Sequence, residues 1–191
     1  SGHHAIAIGS SSNSYGMYSS TLGYNNKSSA TYSTSIGYSN NAFGYASTIL
    51  GGGLNQITGA YSSTLGSNNS SITGTYSTAM GINASISNNY TFIYNNNSDT
   101  TINSINDKQF IINSVNGVGI NNTSPSSALT VGGNIIANYY KGDGSLLTGI
   151  GSAGISDGSV TNVKLQYSTV NYGGIELSLG GSDATPAFDL T

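Results

Sequence analysis

Tyr18-Ser19-Ser20-Thr21-Leu22-Gly23 returns, with small changes, as Tyr32-Ser33-Thr34-Ser35-Ile36-Gly37, Tyr61-Ser62-Ser63-Thr64-Leu65-Gly66 and Tyr76-Ser77-Thr78-Ala79-Met80-Gly81. Ala5-Ile6-Ala7-Ile8-Gly9 opens the series, and the closing glycines Gly9, Gly23, Gly37, Gly51, Gly66 and Gly81 fall 14 or 15 residues apart. A short fixed period means that each repeat is one coil of a solenoid, held mainly by the coils on either side of it. At the spacing between strands, six such coils stack to on the order of 30 Å.

Within a coil, a large apolar residue precedes the glycine: Ile8, Leu22, Ile36, Leu50, Leu65, Met80. Two positions earlier stand Ile6, Ser20, Thr34, Thr48, Ser63 and Thr78. Alternate residues of a strand share a face, so this pattern predicts a narrow apolar core column on one side and a small, polar face on the other. Seven before each closing glycine a second small residue recurs: Gly2, Gly16, Ala30, Gly44, Gly59, Gly74. Two small residues half a coil apart predict two tight corners, and hence two short strands per coil. Asn25-Asn26, Asn40-Asn41 and Asn68-Asn69 follow the glycines, and asparagine tolerates left-handed turn geometry. Ser1-Gly2-His3-His4 fits the same repeat, with Gly2 on the corner and His4 on the tyrosine site, so it reads as native sequence entered in mid-coil. That reading implies a solenoid beginning further upstream.

Charged residues make up 6% of the chain, and Lys27 is the one charge before Asp99. Ordinary globular domains carry roughly 25%. Disordered chains are usually strongly charged and aperiodic, so residues 1–95 read as ordered. One large apolar residue per coil is a thin core, and the absence of cysteine leaves no disulfide or Cys/His metal staple. Oligomerisation commonly rescues small cores, so a parallel homo-oligomer is expected. The tyrosine column (Tyr18, Tyr32, Tyr61, Tyr76) is the expected contact between chains, with a solvent-facing stacking ladder as the alternative. A net charge of −3 without arginine argues against nucleic acid, which needs a basic footprint. No run reaches the roughly 18 apolar residues of a membrane-spanning helix.

After Ser98 the repeat is expected to stop. Gln109–Val115 reads as a strand and Asn116-Gly117 as a hairpin turn into Val118-Gly119-Ile120. Further strands are expected over Ala128–Val131, Asn134–Tyr140 and Leu146–Ile150, with at most one helical turn near Val160–Leu165 and a final β segment around Val170–Leu179. The predicted organisation is all-β: a solenoid over 1–97, a β-rich connector over 98–150 and a C-terminal β fibre segment over 151–191.

Residues 1–95 resemble the head repeats of YadA-type trimeric autotransporter adhesins, through the apolar-Gly phrase typified by Ala7-Ile8-Gly9. The resemblance implies a left-handed parallel β-roll with three chains side by side. The chain departs from that pattern with Ser20, Thr34 and Ser63 where aliphatics are preferred, and with two 15-residue coils. Over residues 110–191, Gly117-Val118-Gly119-Ile120, Thr123-Ser124-Pro125, Ala128–Ile135, Gly142–Ile150, Gly174–Gly181 and Asp183–Phe188 are similar to segments of bacteriophage and other viral tail fibres. That likeness implies a trimeric β fibre of the virion, spacing or presenting a tip that meets a cell-surface glycan or protein receptor. The alternative it leaves is the head of a bacterial surface adhesin.

No catalytic, cofactor-binding or metal-binding residue is assigned. All seven acids (Asp99, Asp107, Asp143, Asp157, Glu176, Asp183, Asp189) lie beyond the solenoid and scattered, whereas glycoside cleavage needs two carboxyl groups flanking one bond. His3 and His4 have serines nearby but no acid in the same coils to orient an imidazole. Asp143 in Gly142-Asp143-Gly144-Ser145 is one acid, too few for a calcium cage within a single chain. Gly51-Gly52-Gly53 lacks the lysine and helix of a phosphate loop and reads as an enlarged corner. The Ser/Thr-rich faces also raise an ice-binding solenoid. The irregular series Ala7, Thr21, Ser35, Ile49, Thr64, Ala79 speaks against it, since such a surface should repeat one Thr spacing on every coil.

Overall fold

The computed structural model describes residues 2–139, 141–144, 146, 148, 169–172 and 175–178. They fall in two units divided between Ile136 and Ala137. Among the described residues every regular element is a strand. In chain order these are β1 (Ile6–Ile8), β2 (Asn13–Ser14), β3 (Ser20–Tyr24), β4 (Lys27–Ser28), β5 (Thr34–Tyr38), β6 (Asn41–Ala42), β7 (Thr48–Gly53) and β8 (Gln56–Ile57). Then come β9 (Ser63–Asn68), β10 (Ser71–Ile72), β11 (Thr78–Ile82), β12 (Ala84–Ile86), β13 (Phe92–Asn95), β14 (Ile102–Asn103) and β15 (Phe110–Asn113).

Odd-numbered strands β1 to β15 form one parallel sheet of eight, and even-numbered β2 to β14 form a second of seven. Each coil therefore gives one strand to each sheet, the architecture of a β-solenoid. Registers follow the repeat residue for residue: Leu22 pairs with Ile36, Gly23 with Gly37 and Tyr24 with Tyr38. Where a coil has 15 residues the extra one is taken up as a bulge. Gly51 and Gly52 of β7 oppose Gly37 alone, and Gly66 and Ser67 of β9 oppose Gly81 alone. The three-glycine run is thus a bulge at a strand end, close to the enlarged corner expected.

The repeat does not stop at Ser98, which corrects the expectation. β14 pairs with β12, and β15 pairs with β13 with Phe110 set against Phe92, eighteen residues earlier. The added residues lie in the corner 96–101, which blurs the sequence phrase without interrupting the ladder. Asn116-Gly117 is consequently not a hairpin turn between 109–115 and 118–120. β16 (Val118–Ile120) pairs in parallel with β17 (Leu129–Val131) as a separate two-stranded sheet. Residues 134–139 form no strand.

In the second unit β18 (Thr169–Tyr172) and β19 (Ile175–Ser178) form an antiparallel hairpin. The turn of helix expected near Val160–Leu165 and most of the strand expected over Leu146–Ile150 lie outside the described residues.

The largest correction concerns which side of the strand faces the core. Thr21, Ser35, Ile49, Thr64, Ala79 and Ile93, two before the closing position, are buried. Leu22, Leu50 and Leu65, expected inside, are 46%, 44% and 39% exposed. The opposite wall is Ser14, Ser28, Ala42, Ile57, Ile72 and Ile86. Two short strands per coil leave a thin interior that takes Ser, Thr, Ala and single isoleucines. Large residues are displaced to the outer face. The core also changes along the stack, from hydroxyls at Ser14, Thr21, Ser28 and Ser35 to isoleucines at Ile49, Ile57, Ile72, Ile86 and Ile93.

Buried polarity is handled by ladders. Asn26, Asn40 and Asn55 are fully enclosed at one corner. Asn40 donates through Nδ2 to the carbonyls of Ile36 (2.9 Å) and Gly52 (3.1 Å), and its Oδ1 accepts from the Asn55 amide N–H at 3.0 Å. Asn26 does the same one coil earlier, to Leu22 and Gly37, and its Oδ1 receives the N–H of Asn40. At the other corner the Ser77 Oγ accepts from the Thr91 N–H, and the Ser62 Oγ from the Ser77 N–H. Corner amides that the strands cannot pair are thereby satisfied from within.

Candidate functional site

The solenoid's functional features are its outer surfaces, since the interior is filled. On the outer face of the larger sheet two columns run side by side. One is Ser20, Thr34, Thr48, Ser63 and Thr78, ending in Phe92 and Phe110, whose rings stack at 5.0 Å. The other is Ile8, Leu22, Ile36, Leu50, Leu65 and Met80, continued by Tyr94 and Ile112. A continuous apolar column on the outside of a chain with a small core is a candidate interaction surface.

The second feature is the tyrosine column at the corner that leads into these strands. Tyr18, Tyr32, Tyr61, Tyr76 and Tyr90 all have φ between 54° and 61°, left-handed values that set each ring outward at the same place in its coil. The backbone N–H of Tyr32 is held by the Met17 carbonyl of the previous coil, and that of Tyr76 by Ala60. Neighbouring rings stack, Tyr18 on Tyr32 at 5.3 Å and Tyr61 on Tyr76 at 4.9 Å. His4 stands on the same site, with φ 56° and its ring 5.2 Å from Tyr18. Ala46 takes the left-handed position in the middle coil, and Tyr45 fills the gap edge-on to both Tyr32 and Tyr61. The column is a stacking ladder within one chain, presenting ring edges and hydroxyls to solvent.

The residues considered for catalysis are not brought together. His3 and His4 are exposed at the first coil. The Asp107 carboxylate accepts the Asn89 N–H at 2.8 Å, and Asp99 closes a local turn with Asn97 and Ser98. Asp143 lies among the described residues of the second unit, whereas Asp157, Asp183 and Asp189 do not. Glu176 belongs to β19, paired opposite Asn171. No group of three His, Cys, Asp or Glu side chains gathers among the described residues. A cavity of about 360 Å³ between 114–117 and 125–128 is lined by Ser114, Val115, Asn116, Pro125 and Ser126 among others, with no titratable side chain among the described residues.

The column used against an ice-binding reading, from Thr21 onward, faces inward and says nothing about a water-facing surface. The outward rank is the regular Ser20, Thr34, Thr48, Ser63, Thr78. It is a single rank, and beside it stand Leu, Ile and Met side chains of unequal length, a poor template for ordered water.

Sequence reasoning found the two periodic columns but missed that the apolar one is external. The signal was the matching column Ser14, Ser28, Ala42, Ile57, Ile72, Ile86, which needs an equally small partner across a thin coil. Comparison with protein-family models, with curated proteins and with solved structures finds no match to this chain.

Proposed function

We propose that this chain is a structural segment of a homotrimeric viral or phage tail fibre, which spaces or presents a host-receptor-binding tip. The observation that carries the proposal is the exposed apolar column of the larger sheet, running from Ile8 to Ile112. Three parallel chains packed about a common axis would cover these columns with one another and supply the apolar burial that the coil interiors lack. The β-roll is left-handed in this reading, as the YadA-type resemblance implies, and the segments beyond it serve as shaft. The tyrosine ladders then lie at the rims of the joint, each adding aromatic area with a polar edge.

Native mass by light scattering, with and without heating in SDS, tests the assembly. A heat-labile, SDS-resistant trimer is expected, and a soluble monomer would overturn the proposal. The second reading is the head of a bacterial trimeric autotransporter-type adhesin at the cell surface, favoured by the repeat phrase itself. It predicts a reading frame with a signal peptide and a C-terminal membrane anchor, where the fibre reading predicts neither.

A further inference from the structure

The outer face of the smaller sheet carries the first charge of the chain. Lys27 opens β4 and is registered between Asn13 of β2 and Asn41 of β6. One repeat apart on either side of Ser29 stand two rings, Tyr15 and Phe43. Because Ser29 is small, a gap one strand wide opens between them, and the lysine reaches into it. Its Nζ lies 5.6 Å from the Tyr15 ring centre and 5.4 Å from that of Phe43. Both rings hold the ammonium by cation–π attraction, which positions the charge without neutralising it. Among the described residues the ammonium has no hydrogen-bond acceptor and no ion pair, so its N–H donors remain for an outside partner.

We propose that Tyr15, Lys27 and Phe43 form a binding site for a carboxylate-bearing saccharide. The ammonium supplies a charge-assisted hydrogen bond to one carboxylate. The flanking rings offer apolar surface to the C–H faces of a pyranose, and the amides of Asn13 and Asn41 bracket the lysine within reach of ring hydroxyls. The class follows from the inventory. One cation in a neutral, amide-rich field suits one carboxylate, whereas a polyphosphate chain would call for a row of basic residues. Three consecutive coils of one chain build the site, so it does not depend on the trimer. It lies on the sheet opposite the apolar column and remains open if that column is covered.

The test is a calorimetric titration of the full chain with 3′-sialyllactose, tri-galacturonate and neutral lactose, and with acetate as the bare charge. Both acidic saccharides are expected to bind at least about tenfold more tightly than lactose or acetate, the value of one charge-assisted contact. Lys27→Gln should abolish that preference, and Tyr15→Ala and Phe43→Ala should weaken it. Lys27 is half-buried between two rings and forms no ion pair among the described residues, so its substitution should shift the thermal unfolding curve only slightly, which separates lost binding from lost fold. Binding of one acidic saccharide without the other fixes the sugar source within the proposal. Equal binding of lactose and 3′-sialyllactose, equal binding of acetate, or an unchanged titration for Lys27→Gln would each overturn it.

Discussion

The closing glycines look interchangeable in sequence and are not so in the fold. Gly23 has φ 119°, and a Cβ there would collide with the carbonyl oxygen of Gly37 in the next coil. Gly66 closes a bulged coil, has φ 58° and has nothing within 4 Å of a built Cβ. Gly23→Ala should therefore cost about 2–4 kcal/mol, combining backbone strain with displacement of a neighbouring coil. Gly66→Ala should cost only about 1 kcal/mol, the ordinary penalty of a left-handed alanine. Denaturant midpoints of the two variants check the contrast. Thr64 makes a prediction of the opposite sign. Its side chain is enclosed in the core and its hydroxyl has no partner among the described residues. Thr64→Val keeps the shape and removes the unsatisfied group, so it should stabilise the chain by about 1 kcal/mol in the same assay. The glycine column was legible because a missing side chain at fixed intervals has few explanations. The difference between Gly23 and Gly66 was not, because it depends on where a fifteenth residue is accommodated.

At the level of the strand and its corner, the period specifies pairing and the alternation specifies two faces, but neither says which face is inside. The expectation placed Leu22, Ile36 and Leu50 in the core because large apolar side chains are usually buried. Coil thickness decides otherwise. Two-residue strands such as β4 and β6 face β3 and β5 across a gap that Ser28 and Ala42 fill together with Thr21 and Ser35. What compensates for so little apolar burial is the asparagine ladder, in which the Asn26 and Asn40 side chains each tie their own coil to the next. Asn40→Ala would remove two bonds to carbonyls and leave the Asn55 N–H without its acceptor. The expected loss is about 3 kcal/mol, well above that of an exposed asparagine such as Asn68 changed in the same way. Thermal unfolding of the pair followed by circular dichroism measures the difference. Asparagines were readable as turn residues. Their enclosure was not, since Asn25 and Asn26 differ only in phase: Asn25 takes the left-handed position and Asn26 points inward.

For the molecule as a whole, hydroxyls and amides share the interior with a row of isoleucines from Ile49 onward, while a second aliphatic column runs along the outside. The thin coil has no room for that second column. Its exposure is coherent if its burial comes from other copies. Leu50 lies near the middle of that column, at 44% exposure, with Ile36 before it and Leu65 after it in the sheet. Leu50→Asp adds a charge where it faces water in one chain, but would set three carboxylates against one another if three columns meet on an axis. Desolvation and like-charge repulsion both oppose assembly there. The variant should then elute as a monomer by light scattering while keeping the β spectrum of the parent, with loss of SDS resistance. Thr48→Asp places the same charge two residues earlier, on the same face in the Ser/Thr column, and should weaken assembly less if the aliphatic column is the joint's centre. Equal dissociation by both would place the axis between the columns. A trimer that survives Leu50→Asp would shift the joint to the tyrosine ladder, where Tyr61→Ala becomes the decisive substitution.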